Sequence, residues 1–195
     1  MAQYQPRQIL GGWRQGFALD LHTIRSVPVG YNEFGHLQFD TTRSEIGELL
    51  FKLKNRSDTS TIAEIVDTAG RFFDHWRPPV EFIVPVPPSS MRSVQPVMLI
   101  ASALGQRIGL PVVECVAKAK SIPQLKNIFD LDERLKALEG AHSIDIEATK
   151  NKSVLLFDDL YRSGATMNAI TTMLYEQGKA ANVFALTITR TRSHQ

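Results

Sequence analysis

Cysteine is almost missing from this chain: Cys115 is the single one in 195 residues. One thiol excludes an intramolecular disulfide and a zinc site built on several cysteines, and it agrees with a reducing compartment. Set between Val113 and Val116, Cys115 reads as a small core residue rather than a nucleophile. Charge of one sign is not in excess either. The 22 Lys and Arg face 20 Asp and Glu, a net of +2, so neither nucleic acid nor a membrane surface is expected as the main partner, and any anion site must be local. Long apolar runs are lacking: residues 1–13 scatter Gln, Arg and Pro without a block of signal-peptide length, and no later run approaches a membrane span. A cytoplasmic protein with no membrane partner is expected. His22, His36, His75, His142 and His194 stand singly, without the spacing of metal ligands, which argues against a histidine metal centre.

What is present is a hydrophobic content of 43%, enough for one domain with a substantial core and a small lobe. No repeat or low-complexity tract organises the chain, so Gly and Pro punctuation must. Phe17, Leu19 and Leu21 alternate, and after the break at 28–35 the run 36–39 is expected to return as their partner strand, giving an antiparallel hairpin in a lobe of residues 1–43. From Thr42 the period changes. Ile46, Leu49, Leu50 and Leu53 recur at helical spacing, with Thr42 and Glu45 placed as a capping box. A second helix is predicted over 62–76, stopped by Arg77, Pro78 and Pro79.

Residues 44–195 then form an α/β core in which strands and helices alternate, the order a parallel sheet covered by helices requires. Strands are expected at 82–86, 112–116, 154–157 and 183–188. One helix uses Val97, Ile100, Ala101, Leu104 and Ile108; another uses Met167, Ile170, Met173 and Leu174 and closes at Gly178. The charged stretch 117–140 is either a mobile loop or a loop carrying a short helix near 132–138.

Chemistry concentrates in residues 154–166, Val-Leu-Leu-Phe-Asp-Asp-Leu-Tyr-Arg-Ser-Gly-Ala-Thr. Four apolar residues bury a strand, and Asp158 and Asp159 follow at its carboxyl end, where an open parallel sheet places its ligand. Alternation along a strand would send the two acids to opposite faces, so a loop beginning at Asp159 is expected to bring them together. Ser163, Gly164, Ala165 and Thr166 lead into a helix. Gly164 permits close backbone approach, the first-turn amides and the helix dipole favour a phosphate, and the Ser163 and Thr166 hydroxyls add donors. Carboxylates repel phosphate, so their partners are hydroxyls or a hydrated cation, and a sugar phosphate supplies the hydroxyls beside its own anion.

This segment resembles the phosphoribosyl diphosphate signature of type I phosphoribosyltransferases: a buried strand, two acids, then a Thr-Thr-Gly-x-Thr type loop. The stretch Gly47 to Arg56 with Lys52 and Lys54, the Val84-Pro85-Val86-Pro87 loop, and Gln124 followed by Glu133-Arg134 and Gly140 resemble the ComF branch, over residues 44–190 in the same order. The resemblance implies a parallel sheet flanked by helices with a small N-terminal β hood. It implies that Asp158 and Asp159 hold the ribose hydroxyls and that Tyr161, Arg162, Ser163, Gly164, Ala165 and Thr166 hold the 5′-phosphate. Pro87, Pro88, Ser89 and Arg92 would face the diphosphate, and Lys118 and Lys120 would stand at the base of a closing loop. Magnesium would be carried mainly by the donor, with no direct protein ligand. The partners implied are phosphoribosyl diphosphate and a nitrogen acceptor, with a homodimer as a further expectation.

The sequence also departs from the family. Arg162 and Ser163 stand where Thr is usual. After Arg92 the chain reads Ser93-Val94-Gln95-Pro96 instead of an Arg-Gly-aromatic-Asn run, and the four-cysteine module frequent at the start of ComF-like chains cannot be built from Cys115 alone. Lys52 and Lys54 flank Leu53 at a helix end, where the dipole favours cations, and are set aside from the site. Three other readings stay open: a non-catalytic sensor using the same pocket, an accessory protein for DNA uptake, and a receiver-like phosphoacceptor, the last weakened because Asp158 leaves only one helix and one strand to follow.

Overall fold

The computed structural model describes residues 2–88, 94–118 and 142–192. Its centre is a five-stranded sheet in the order β1 (Arg7–Gln8), β2 (Gln15–Leu21), β9 (Asn182–Arg190), β8 (Ser153–Tyr161) and β5 (Phe82–Pro85). The last four run parallel, β1 is an antiparallel edge, and Val112 extends the far side by one parallel bridge to Ile83. Helices cover both faces. On one, α1 (Glu45–Arg56), α2 (Ile62–Trp76) and α3 (Pro96–Ile108) bury Ile46, Leu50, Ile65 and Leu104 against Leu155, Phe157 and Leu186. On the other, α4 (Ala165–Glu176) buries Met167, Ile170 and Leu174 against Val154, Leu156 and Ala185. Successive β8 residues thus enter opposite cores, as a strand covered on both faces must.

The N-terminal region differs from its expectation. Residues 17–21 do not pair with 36–39. They lie in β2, parallel to β9, and the hairpin partner of β4 (Leu37–Arg43) is β3 (Thr23–Tyr31). The lobe drawn at 1–43 therefore divides: residues 7–21 enter the central sheet and 23–43 form the hairpin. The small residues Gly16 and Ala18 disguise β2 as half-polar, whereas Ala18 and Leu19 are both fully buried.

The cap of α1 also moves. Thr42 is a β4 residue opposite Arg25, and the N-cap is Ser44, whose Oγ accepts from the Gly47 amide at 3.0 Å and donates to the Leu21 carbonyl. One hydroxyl thus joins the helix start to the end of β2. A β-carbon on Gly47 would run into the His22 carbonyl oxygen, so this glycine is required by close backbone approach. Ser44→Ala should cost about 1–2 kcal/mol, lowering the melting temperature by about 2–8 °C in a chain of this size, which a thermal melt followed by circular dichroism measures.

Beyond Val112 the expected strand 112–116 is not continuous. Val116 begins β6 (Val116–Lys118), which pairs antiparallel with β7 (His142–Ile144) in a sheet of its own. The short helix near 132–138 lies outside the described residues. Among the described residues no helix is long and apolar enough to cross a membrane.

Candidate active site

Because β2, β9, β8 and β5 are parallel, their carboxyl ends share one edge of the sheet, and the segments leaving them share it too. His22 follows β2, Val86 to Pro88 follow β5, and Arg162 to Gly164 follow β8.

The strand does not end at Asp159. Asp158, Leu160 and Tyr161 remain in register with Thr187, Thr189 and Arg190, so the loop expected at Asp159 starts three residues later. The acids accordingly leave on opposite faces, Asp159 toward the α1 side and Asp158 toward the α4 side. Asp158 Oδ1 accepts from the Asp159 amide at 2.8 Å. Burial, then the neighbouring Asp159 carboxylate, push the Asp158 carboxyl above the usual carboxylate range, while Lys54 pulls it back. Thr187, beside Asp158 on β9, keeps a buried Oγ1 with no hydrogen-bond partner among the described residues.

Asp159 meets a residue that the sequence reading set aside. Lys54 Nζ donates to Asp159 Oδ1 at 2.7 Å, an ion pair spanning 105 positions of sequence. Lys54 follows the buried Leu50 by four residues on α1, so it stands on the helix face turned toward the sheet; that spacing was the available signal. His22 is a second omission. Its Nδ1 lies 3.1 Å from Thr189 Oγ1, and burial, then Arg43 and Lys54, push its pKa down to about 4, against a pull from Asp159. It is neutral at ordinary pH. Nothing local in the sequence marks it, since a single histidine after a short strand carries no pattern.

The phosphate-loop candidates keep an open backbone. Arg162 and Ser163 are exposed, Gly164 takes φ 76°, and α4 begins at Ala165. The Gly164 carbonyl accepts from Asn168 N at 2.8 Å and Nδ2 at 3.0 Å. The Ala165 amide reaches Ser163 Oγ only at 3.5 Å. The amides of Ser163, Gly164, Thr166 and Met167 donate to no acceptor among the described residues, which leaves at a helix N-terminus the donors that an anion takes. Tyr161 walls this turn. A β-carbon on Gly164 would sit 2.5 Å from the Tyr161 hydroxyl and 2.7 Å from its ring. That hydroxyl already donates to the Leu10 carbonyl at 3.1 Å, and the ring meets Trp13 edge-on at 6.2 Å. Tyr161 shapes the loop instead of offering it a donor.

The other candidates are spread out. Pro87 and Pro88 follow β5 at the same edge and are half-buried, while Lys118 is exposed at the end of β6, opposite His142. Ser89, Arg92 and Lys120 lie outside the described residues. Cys115 is buried, and burial pushes its thiol up to about 11, so it is a core residue and not a nucleophile. Among the described residues no group of three or more His, Cys, Asp or Glu is placed to hold a metal ion.

No family model matches the sequence. The chain is 29% identical over 149 residues to the competence protein ComFC of Bacillus subtilis (strain 168), a match covering 73% of this chain and 59% of that protein, so it spans less than two thirds of the relative's length. Among solved structures it is similar to adenine phosphoribosyltransferase from Saccharomyces cerevisiae, complexed with an imino-altritol bisphosphate and adenine, at a TM-score of 0.47 and 19% identity over 84% of this chain and 82% of that one. It is also similar to adenine phosphoribosyltransferase from Trypanosoma brucei, in complex with AMP, pyrophosphate and ribose-5-phosphate, at a TM-score of 0.44 and 11% identity over 96% and 87%. The chain thus has an α/β fold with a mostly parallel sheet covered on both faces, carries a strand, acid pair, glycine turn and helix in that order, and is similar in sequence to ComFC.

Proposed function

We propose that the chain binds phosphoribosyl diphosphate with magnesium and transfers the phosphoribosyl group to a nitrogen acceptor, releasing diphosphate. The observation that carries this reading is the turn 163–167, four of whose amides find no acceptor among the described residues, at the start of α4 and just after two carboxylates. A dianion suits the amides and the helix dipole. Sugar hydroxyls suit the acids: Asp159 keeps Oδ2 for a ligand while Lys54 holds Oδ1, and Asp158 stands on the loop side of the strand.

In the reaction the acceptor nitrogen gives its lone pair to the anomeric carbon, and the bond from that carbon to the diphosphate oxygen breaks with its electron pair on the leaving group. Positive charge develops on the ribose ring, which a carboxylate at the end of β8 would stabilise. Most of the remaining work is orientation. A magnesium ion carried by the donor would neutralise the departing diphosphate. His22, at the same edge, is held neutral by burial and by Arg43 and Lys54, which makes it a neutral hydrogen-bonding group and a poor proton acceptor, so the proton the acceptor gives up passes to solvent.

Calorimetric titration with phosphoribosyl diphosphate and magnesium tests the reading. Saturable binding at one site per chain, competed by ribose 5-phosphate, is expected; no heat at about millimolar donor, the weak limit of specific affinity, would sink it. A second reading, a sensor that binds the donor without turnover, is favoured by Arg162, a long cation exposed where the related loop carries a small residue. Product formation over a panel of nitrogen acceptors separates the two.

A further inference from the structure

The turn before α4 is fastened to a segment far away in sequence. Residues 9–14 join β1 to β2 and fold over the sheet face that α4 covers, where Ile9 and Trp13 are buried in one cluster with Met167 and Ile170. Two side chains reach this loop, one from each end of the turn. From before it, the Tyr161 hydroxyl donates to the Leu10 carbonyl at 3.1 Å. From after it, Asn168 Oδ1 accepts from the Gly12 amide at 2.8 Å, across 156 positions of sequence, while Asn168 Nδ2 donates to the Gly164 carbonyl at 3.0 Å. The two partners decide which end of this carboxamide is which, since a backbone N–H requires an oxygen and a carbonyl requires an N–H.

One side chain thus stands in a line of hydrogen bonds. The Gly164 C=O belongs to the same planar peptide as the Ala165 N–H, and in a trans peptide the two point in opposite directions. Held by Asn168 N at 2.8 Å and by Nδ2, the carbonyl lies along α4, so the Ala165 N–H is aimed out of the helix start, where an anion would bind. The line runs from the Gly12 amide through the Asn168 side chain and the Gly164–Ala165 peptide to the open end of the turn. The loop is shaped for this contact as well: a β-carbon on Gly11 would stand 2.6 Å from Asn168 Oδ1 and 2.4 Å from the buried Trp13 ring.

We infer that Asn168 is a positioning residue for this turn, holding the Ala165 amide in line with a bound phosphate, and that residues 9–13 take part in binding that phosphate through it. The inference rests on the turn being the phosphate site. A peptide fixed before the ligand arrives spares the ordering that binding would otherwise cost. Each bond in such a line also polarises the next, so the anion is felt at the Gly12 amide although no atom of Gly12 touches it.

Calorimetric titration of the whole chain with ribose 5-phosphate tests it. Asn168→Ala should weaken binding about 10-fold, the scale of one or two neutral hydrogen bonds. Gly11→Ala, which touches no ligand, should weaken it similarly, because the loop must move off Asn168 Oδ1. Both changes act through one contact, so the double variant should bind as the weaker single variant does, whereas a general loosening of the fold would multiply the two losses. A second readout needs no variant and covers the case in which one misfolds. In the wild-type chain, saturation with ribose 5-phosphate should shift the Gly12 amide proton resonance together with those of residues 163–167, while that of Gly109, at the end of α3 on the opposite face, stays in place. Wild-type affinity in Asn168→Ala, multiplied losses in the double variant, or a Gly12 resonance that stays while those of 163–167 move would each overturn the inference and leave the phosphate site standing. A wild-type chain that takes up no ribose 5-phosphate at about millimolar concentration would end the phosphate reading and this inference with it.

Discussion

Exchanging Asp158 and Asp159 together for asparagine should lower the affinity for phosphoribosyl diphosphate by about 10²–10⁴-fold, the loss of two charge-assisted hydrogen bonds at about 1.5–3 kcal/mol each. Calorimetry reads it directly, and unchanged affinity would refute the roles given to both acids. The single change Asp158→Asn should move stability the other way. Burial and Asp159 raise the folded-state pKa of Asp158 above its unfolded value, so between those two pKa values the folded chain binds more protons than the unfolded one. Stability then falls as pH rises through that window, and above it the folded chain bears the full cost of a charged Asp158. Asparagine keeps an oxygen for the Asp159 amide and carries no charge. A rise of about 2–4 °C in melting temperature at neutral pH, the equivalent of about 1 kcal/mol, with the slope between about pH 4 and 7 flattened, is the expected result. A lower melting temperature in Asp158→Asn would show that its charge is compensated in the fold.

Replacing Lys54 by methionine should cost about 10–100-fold in donor affinity, because the cation that holds Asp159 Oδ1 at 2.7 Å disappears and charged hydrogen bonds are worth about 1.5–3 kcal/mol. The pH profile separates this from a packing defect. Lys54 is among the groups that lower the Asp158 pKa; without it the acid pair holds a proton to higher pH, and the acid limb of the binding profile shifts upward. Lys54→Arg should restore most of the profile, although its planar fork does not copy a compact ammonium. If Lys54→Met weakens binding equally at every pH, the lysine is structural only.

Much of this was legible in the chain. The helices at 62–76 and 165–176 and the strand at 82–85 announce themselves through apolar residues at one period, and the turn before α4 through glycine between hydroxyls just before a helix. Other features are decided at a distance. Lys54 gains its role from a partner 105 residues away, and His22 from neighbours on β9, α1 and the loop after β8. Asp158 and Asp159 stay in strand geometry because Leu160 and Tyr161 find partners on β9, a continuation that residues 154–166 alone do not reveal. β2 is hidden in the sequence because its buried positions include Gly16, packed against Trp13 and Ala185, and Ala18, side chains too small to mark a core strand.

The position of β9 has a consequence for how the chain is made. Its neighbours in the sheet are β2 and β8, the one far upstream in the sequence and the other just before it, so β9 is the wedge that joins them and is synthesised after both. Until it arrives, two apolar strands have open edges, and unpaired edges template association between chains. Nascent chains stalled before residue 182 should therefore depend on chaperones far more than chains that include β9 do, and insertion of β9 should be slow because it joins segments far apart in sequence.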